Sequence, residues 1–310
     1  MQVVHFPDSP RPRWPHPVVA LGNFDGLHRG HMRLLDEVRR QAAERGGTPV
    51  AMIFDPHPPR VLRPDKAPPL IMTFDQKIEA FERAGIRGVA VVRFTHELSR
   101  WEPELFVDTV LVDWLRIAEV WVGANFLFGR DRAGTFTLLR TLGEDRGFRA
   151  EKIDPVRYKD FVVSSTRIRH LVGEGRVDEA GALLGHHYFI DGHVVRGDGR
   201  GRELGFPTAN LETANMLMPA HGIYATLAML DDAWHPSVTS VGIRPTIGDG
   251  RFTIETHLLD GAADLYDRDM RLAFVTWLRE ERKFDDLAAL TAAIAADCVQ
   301  ARTLFERLQV

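Results

Sequence analysis

Val18-Val19-Ala20-Leu21-Gly22-Asn23-Phe24-Asp25-Gly26-Leu27-His28-Arg29-Gly30-His31 is the stretch on which the fold turns. Its first four residues are apolar and read as a buried strand. The Gly/Asn/Asp run behind them reads as a turn. From about residue 30 to 45, Leu34, Leu35, Val38 and Ala42 recur at helical spacing, and Gly46-Gly47 supplies a stop. The same alternation continues outward. Residues 50–54, 88–94 and 119–123 read as short apolar strands, and residues 76–84 and 102–116 as helices. Short apolar strands alternating with helices predict a parallel sheet covered on both faces. Residues 1–17 are Pro-rich and are expected to wrap the surface.

The rhythm changes near residue 185. Residues 172–184 read as one helix, and Gly185-His186-His187 is the expected junction. Beyond it, segments of β type at 189–195, 223–230, 238–242, 252–259 and 272–278 are separated by Gly/Asp/Pro turns. That spacing predicts a small antiparallel barrel or sandwich. A closing helix is expected at about 285–308, with Leu287, Leu290, Ile294, Ala295 and Val299 at helical spacing. A chain of 310 residues is long for one core. Two domains are therefore expected, 1–184 and 186–310.

Composition narrows the partners. The net charge is −4, without the basic excess of a general nucleic-acid binder. No run approaches the ~18 consecutive apolar residues of a membrane span, and the first fifteen residues carry no signal-peptide pattern. Cys298 is the only cysteine, so no intramolecular disulfide can form. These features predict a cytoplasmic protein with neither nucleic acid nor membrane as partner, and Cys298 as a packing residue.

Two sets of residues carry chemistry. In the first, His28 and His31 lie where a strand hands over to a helix. Ligands of open α/β sheets bind at the carboxyl ends of strands, and free N–H groups at a helix start favour phosphate. Gly22, Gly26 and Gly30 let a backbone approach a triphosphate closely. The alternative is two surface histidines beside a glycine turn. Zinc is disfavoured, because no Cys pair or third clustered ligand accompanies them. Far downstream, Ser164-Ser165-Thr166-Arg167-Ile168-Arg169 combines hydroxyls, a helix start and two arginines. An N-cap alone explains the serines; an anion site explains the arginines as well. Gly123-Ala124-Asn125-Phe126 follows a strand and could line the same pocket.

In the second set, Gly197-Asp198-Gly199-Arg200-Gly201 lacks the strand–turn–helix context of a dinucleotide fingerprint. It reads as a Gly/Arg loop closing over phosphates, or as a plain hairpin turn. Pro207-Thr208-Ala209-Asn210, if extended, points Thr208 and Asn210 to one face. Hydroxyl and amide oxygens are hard ligands suited to Mg²⁺; the alternative is a Pro-initiated turn. Glu255 lies in an alternating strand, sharing a face with Thr253, His257 and Leu259.

GNFDGLHRGH, FDPHP (54–58), GANFLFG and SSTRIR resemble the adenylyltransferase module of prokaryotic bifunctional riboflavin kinase/FMN adenylyltransferases. GHVVRGDGRGRELGFPTANL, GIYA, IETHLLD and WLREERKFDDL resemble the riboflavin kinase module of the same family over nearly all of 186–310. The resemblance implies a Rossmann-like α/β nucleotidyltransferase fold, then a six-stranded Greek-key barrel closed by a C-terminal helix. It implies that riboflavin and ATP give FMN, and that FMN and ATP give FAD and pyrophosphate. His28 and His31 would stabilise the triphosphate. Gly22, Asn23, Phe24, Gly30, Asn125, Ser165, Thr166 and Arg169 would bind nucleotide and phosphates. In the kinase module Gly197, Gly199, Gly201 and Gly205 would bind ATP. Thr208 and Asn210 would hold its Mg²⁺, and Glu255 would accept the proton of the ribityl hydroxyl. A single live domain with the other as scaffold, or a flavin or nucleotide sensor, would not need both intact residue sets.

Overall fold

The structure, a computed structural model, describes residues 1–197, 200–243, 252–261 and 265–308, with Arg200 by its backbone alone. Gly199, expected to bind phosphate, lies outside the described residues. The chain forms two compact units. One comprises Met1–Pro69 and Phe74–Ser164; the other comprises Leu70–Thr73 and Ser165–Val310.

In the first unit, β1 (Gln2–Phe6), β2 (Pro17–Leu21), α1 (Arg29–Glu44), β3 (Thr48–Asp55), α2 (Pro58–Leu62), α3 (Phe74–Arg83) and β4 (Gly88–Arg93) come first. α4 (Pro103–Phe106), β5 (Glu119–Gly123), α5 (Phe136–Arg146), β6 (Arg149–Ile153) and a small hairpin, β7 (Arg157–Tyr158) with β8 (Phe161–Val162), follow. Six strands pair in parallel in the order β1-β4-β3-β2-β5-β6. β2 is buried throughout, as a strand covered on both faces must be. α1 turns Leu34, Leu35, Val38 and Ala42 inward, the stripe that its sequence spacing predicts. The chain leaves β2 toward β3 and β4 on one side and later adds β5 and β6 on the other. The crevice beyond the carboxyl ends of β2 and β5 is thus the topological switch point, where such sheets bind ligands.

Two expectations fail in this unit. Residues 2–6 do not wrap the surface; they form β1, an edge strand on β4. Val4 is buried there, and an edge strand tolerates the Pro-rich segment beside it. The helix expected at 102–116 is α4 followed by a π-helical stretch, Val107–Trp114. Its apolar face still packs inward, but the β-branched Val107, Thr109, Val110 and Val112 favour regular α winding weakly.

In the second unit, α6 (Ser165–Gly173) and α7 (Val177–Leu184) precede β9 (Tyr188–Val195), α8 (Arg200–Glu203), β10 (Ala209–Thr213), β11 (Gly222–Leu230), β12 (Ala233–Ile243), β13 (Phe252–Leu258), β14 (Asp269–Arg279) and α9 (Leu287–Leu308). The single helix expected at 172–184 is therefore two, interrupted where Gly175 takes φ +79, a left-handed helix end. The six strands close into a barrel in the order β10-β13-β12-β11-β14-β9, every pair antiparallel. β14 returns beside β11 after the β11-β12-β13 meander, which is a Greek key. A chain of buried hydroxyls, Thr226 to Ser237 and Thr226 through Thr239 to Thr256, satisfies its own members inside the wall at 2.7–2.9 Å.

α9 packs on β12 and β14, with Ile294 of the expected stripe against the core but the rest of the inward face rotated from it. Leu287 and Val299 are 67% and 64% exposed, and Ala295 is exposed; Ala293, Asp297, Cys298, Ala301 and Phe305 are buried. Asp297 turns the helix, accepting two hydrogen bonds from the Arg279 guanidinium of β14 at 2.9 and 2.8 Å. Cys298 is buried beside it, in the barrel–helix core. By length and composition alone α9 could cross a membrane.

Candidate functional site

The first site grows from the end of β2. Its carboxyl end leads into Gly22-Asn23-Phe24-Asp25-Gly26-Leu27, and His28 caps α1. The backbone reverses through left-handed residues: Phe24 at φ 49, Gly26 at φ 89 and Leu27 at φ 36. Phe24 is fully buried. Its ring meets Phe81 of α3 edge-on at 5.3 Å and lies 5.2 Å from the His31 ring. His28 Nδ1 accepts the His31 backbone N–H at 3.2 Å. An acceptor Nδ1 puts the proton of neutral His28 on Nε2, which is left as a donor. The two imidazoles stack at 3.6 Å with planes 10° apart. A side chain at Gly30 would sit 3.1 Å from His28 Cε1, so glycine there admits the ring.

Electrostatics hold His31 neutral. Burial, then His28, then Lys77 push its pKa well below the ordinary range. Its Nδ1 is buried and has no hydrogen-bond partner among the described residues. Lys77 of α3 escaped the sequence reading. Its ammonium donates to the Asn23 carbonyl at 2.9 Å. Burial lowers its pKa, against the opposing pull of Asp25 and Asp55. The available clue was position: Lys77 stands on the helix face of Phe74 and Phe81, three and four residues away, where a solvated lysine does not belong.

β5 lies beside β2 in register, Leu21 against Val122, so the exposed Asn125 turn leaves the sheet at the same edge as Gly22. Gly22, Asn23, Phe24, His28, Gly30, His31 and Asn125 thus belong to one end of the first unit. Arg29 lies over the Tyr158 ring of the β7–β8 hairpin at 5.3 Å. Ser165, Thr166 and Arg169 open α6, in the second unit.

The second site lies on the barrel wall. β10 pairs with β13 through Ala209 against Thr256 and Asn210 against Glu255. Cross-strand partners share a face, so Asn210 and Glu255 are neighbours. Thr208, just ahead of β10, donates to Glu255 Oε2 at 3.4 Å. Alternation along β13 buries Ile254, Thr256 and Leu258 and leaves Thr253, Glu255 and His257 half-buried. His257 Nδ1 hydrogen-bonds the Pro207 carbonyl at 2.9 Å, and its ring meets Phe206 edge-on. His257 therefore anchors the Thr208 loop, a role its place in the strand did not reveal. Gly197 and Gly201 lie against the same residues. A side chain at Gly197 would strike the Asn210 amide, and one at Gly201 would lie 3.2 Å from Thr208 Oγ1. Gly205 takes φ +85 at the end of α8.

Two family models match the chain. One, described as FAD synthetase, covers residues 11–167; the other, riboflavin kinase, covers 184–305. A bifunctional riboflavin kinase/FMN adenylyltransferase from Pseudomonas fluorescens is 38% identical over 98% of both chains. This chain belongs to the bifunctional riboflavin kinase/FMN adenylyltransferase family. The family member from Escherichia coli K12 is 35% identical, over 93% of this chain and 92% of its own. A crystal structure of a Streptococcus pneumoniae protein named for macrolide efflux superposes with a TM-score of 0.88 at 26% identity, over 97% of this chain and 99% of that one. The riboflavin kinase/FMN adenylyltransferase family thus accounts for the α/β unit and the barrel together.

Proposed function

We propose that this chain carries riboflavin to FAD in two ATP-consuming steps, each at its own site. As a member of its family it phosphorylates riboflavin to FMN, releasing ADP, and adenylylates FMN to FAD, releasing pyrophosphate. Riboflavin, FMN and ATP are its small-molecule substrates. The observation that carries this is the end-to-end match to a bifunctional relative, 98% of each chain.

Adenylyl transfer is assigned to residues 1–184 and phosphoryl transfer to residues 186–310. In the first reaction the FMN phosphate attacks the α-phosphorus of ATP and pyrophosphate leaves. A phosphate monoester has a second pKa of ~6 and is mostly dianionic at neutral pH, so the nucleophile needs no general base. The obstacle is bringing anions together, which fixed donors and positioning overcome. His28 Nε2–H and the positive end of the α1 dipole are assigned to that task, and neutral His31 adds a ring whose buried Nδ1 has no hydrogen-bond partner among the described residues. Asn125, Ser165, Thr166 and Arg169 are assigned to the same reaction by their motifs.

In the second reaction an alcohol attacks the γ-phosphorus. Glu255 aligns the ribityl hydroxyl and takes its proton. Phosphoryl transfer is loose, so alignment matters more than base strength. Among the described residues no group of three His, Cys, Asp or Glu could cage a metal. Thr208 and Asn210, hard oxygen donors flanking Glu255, instead fit a Mg²⁺ that arrives on ATP and keeps its waters and phosphate oxygens. That ion would neutralise phosphate charge. A cytoplasmic location is proposed with this reading, on the single buried Cys298.

Chromatography of flavins tests the assignment. Glu255→Gln should lose FMN formation from riboflavin and keep FAD formation from supplied FMN. His28→Ala with His31→Ala should do the reverse, so that FMN accumulates. Equal loss of both conversions in either variant would overturn the separate sites.

A further inference from the structure

The turn that carries His28 is strained, and one helix restrains it. Phe24 and Leu27 both take positive φ, at 49 and 36. Residues with side chains adopt that region only where their surroundings impose it. Two contacts from α3 do so. Phe81, fully buried, meets the Phe24 ring edge-on. Four residues earlier on the same helix face, Lys77 donates to the Asn23 carbonyl at 2.9 Å. The Lys77 residue is 7% exposed, and Asn23 is the hydrogen-bond partner of its ammonium. Lysine is rarely buried, and a buried ammonium spent on a carbonyl calls for a reason. Here that carbonyl lies in the turn between β2 and the histidines, next to Phe24, whose ring lies 5.2 Å from that of His31.

We propose that Lys77 is a positioning residue for adenylyl transfer: through the Asn23 carbonyl it fixes the strained turn, and so the placement of His28 and His31 against the phosphates. This rests on the reading that the His28 turn is the adenylyl-transfer site. Lys77 touches no reacting atom in this account. It acts through the backbone, and Phe81 through a ring.

The test uses the full chain with ATP, Mg²⁺ and either FMN or riboflavin. Lys77→Met removes the donor. Lys77→Gln keeps polarity on a side chain one bond shorter, which stops short of the carbonyl. Lys77→Arg keeps both reach and charge. Misplacement by about 1 Å can cost on the order of 100-fold in rate. Met and Gln variants should therefore lose about tenfold or more in kcat for FAD formation, with KM for FMN little changed. The Arg variant should recover most of that loss, and riboflavin phosphorylation should be unaltered in all three. If Lys77→Met fails to fold, the Gln and Arg pair carries the same comparison. Unchanged kcat in the Gln variant, or an Arg variant no better than Gln, would overturn the proposal. His28→Ala with His31→Ala runs in parallel. If that variant also forms FAD normally, the site assignment fails and the proposal with it; if it loses FAD formation while Lys77→Gln does not, only the role of Lys77 fails.

Discussion

Replacing Gly197 by alanine should separate the two activities with one methyl group. Gly197 lies against the Asn210 side chain. A Cβ added there would stand 2.2 Å from Asn210 Nδ2 and 2.6 Å from its Cγ. Ordinary contacts between such atoms begin at about 3.5 Å, so the amide must retreat by about 1.3 Å. The obstacle is the end of a short side chain rather than backbone, so the fold accommodates it cheaply. The reaction does not. Asn210 stands opposite Glu255 in the β10–β13 ladder and is assigned to the metal on ATP. A displacement of about 1 Å in a positioning group costs on the order of 100-fold in rate. Incubating the variant with riboflavin, ATP and Mg²⁺ and separating flavins over time should show FMN formation reduced to that degree. FAD formation from added FMN should be unchanged, and so should the melting temperature to within a few degrees. FMN formation within threefold of the unaltered chain would refute the placement of Asn210 in the reaction.

Other expectations follow from buried groups. His257→Ala frees the Pro207 carbonyl and should slow FMN formation about tenfold while sparing FAD formation; steady-state rates of both conversions check it. Asp297→Asn breaks the doubly hydrogen-bonded pair with Arg279, whose side chains are 7% and 23% exposed, and should cost about 3 kcal/mol. Denaturant unfolding followed through barrel fluorescence would contradict this if the loss were under about 0.5 kcal/mol. His31 is held neutral, its folded pKa below the ordinary ~6.5 of the unfolded chain. Its contribution to stability is complete above that pH and is lost as pH falls from ~6.5 toward the folded pKa, because the unfolded chain takes up the proton first. Thermal unfolding between about pH 8 and pH 5.5 should therefore decline less steeply in His31→Gln than in the unaltered chain; identical slopes would exclude it.

The sheet was legible because its signals are local. Val18–Leu21 is apolar enough to be nothing but a buried strand, and the inward stripe of α1 matches its spacing residue for residue. Two of the failures share a cause: a distant partner overrules local pattern. β1 is a strand because β4 offers it an edge. Leu287 and Val299 face outward because Arg279, on another element, draws Asp297 inward. Among the candidate residues, Thr208, Asn210 and Glu255 were readable as types, but their convergence depends on which strand closes the barrel. Lys77 was hidden for a similar reason. Its place beside Phe74 and Phe81 marks it as inward, but only the fold brings the Asn23 carbonyl to its tip.

The β10–β13 ladder has just two rungs, Ala209 with Thr256 and Asn210 with Glu255, while the β11–β12 ladder runs through nine. The residues assigned to phosphoryl transfer are therefore mounted on the zipper's shortest teeth. A nucleotide gripped by Asn210 while the flavin chain rests on Glu255 would act as a clasp across that seam. Occupancy by both substrates should then slow amide exchange along β10 first, and the cylinder would be most firmly shut at the moment it is at work.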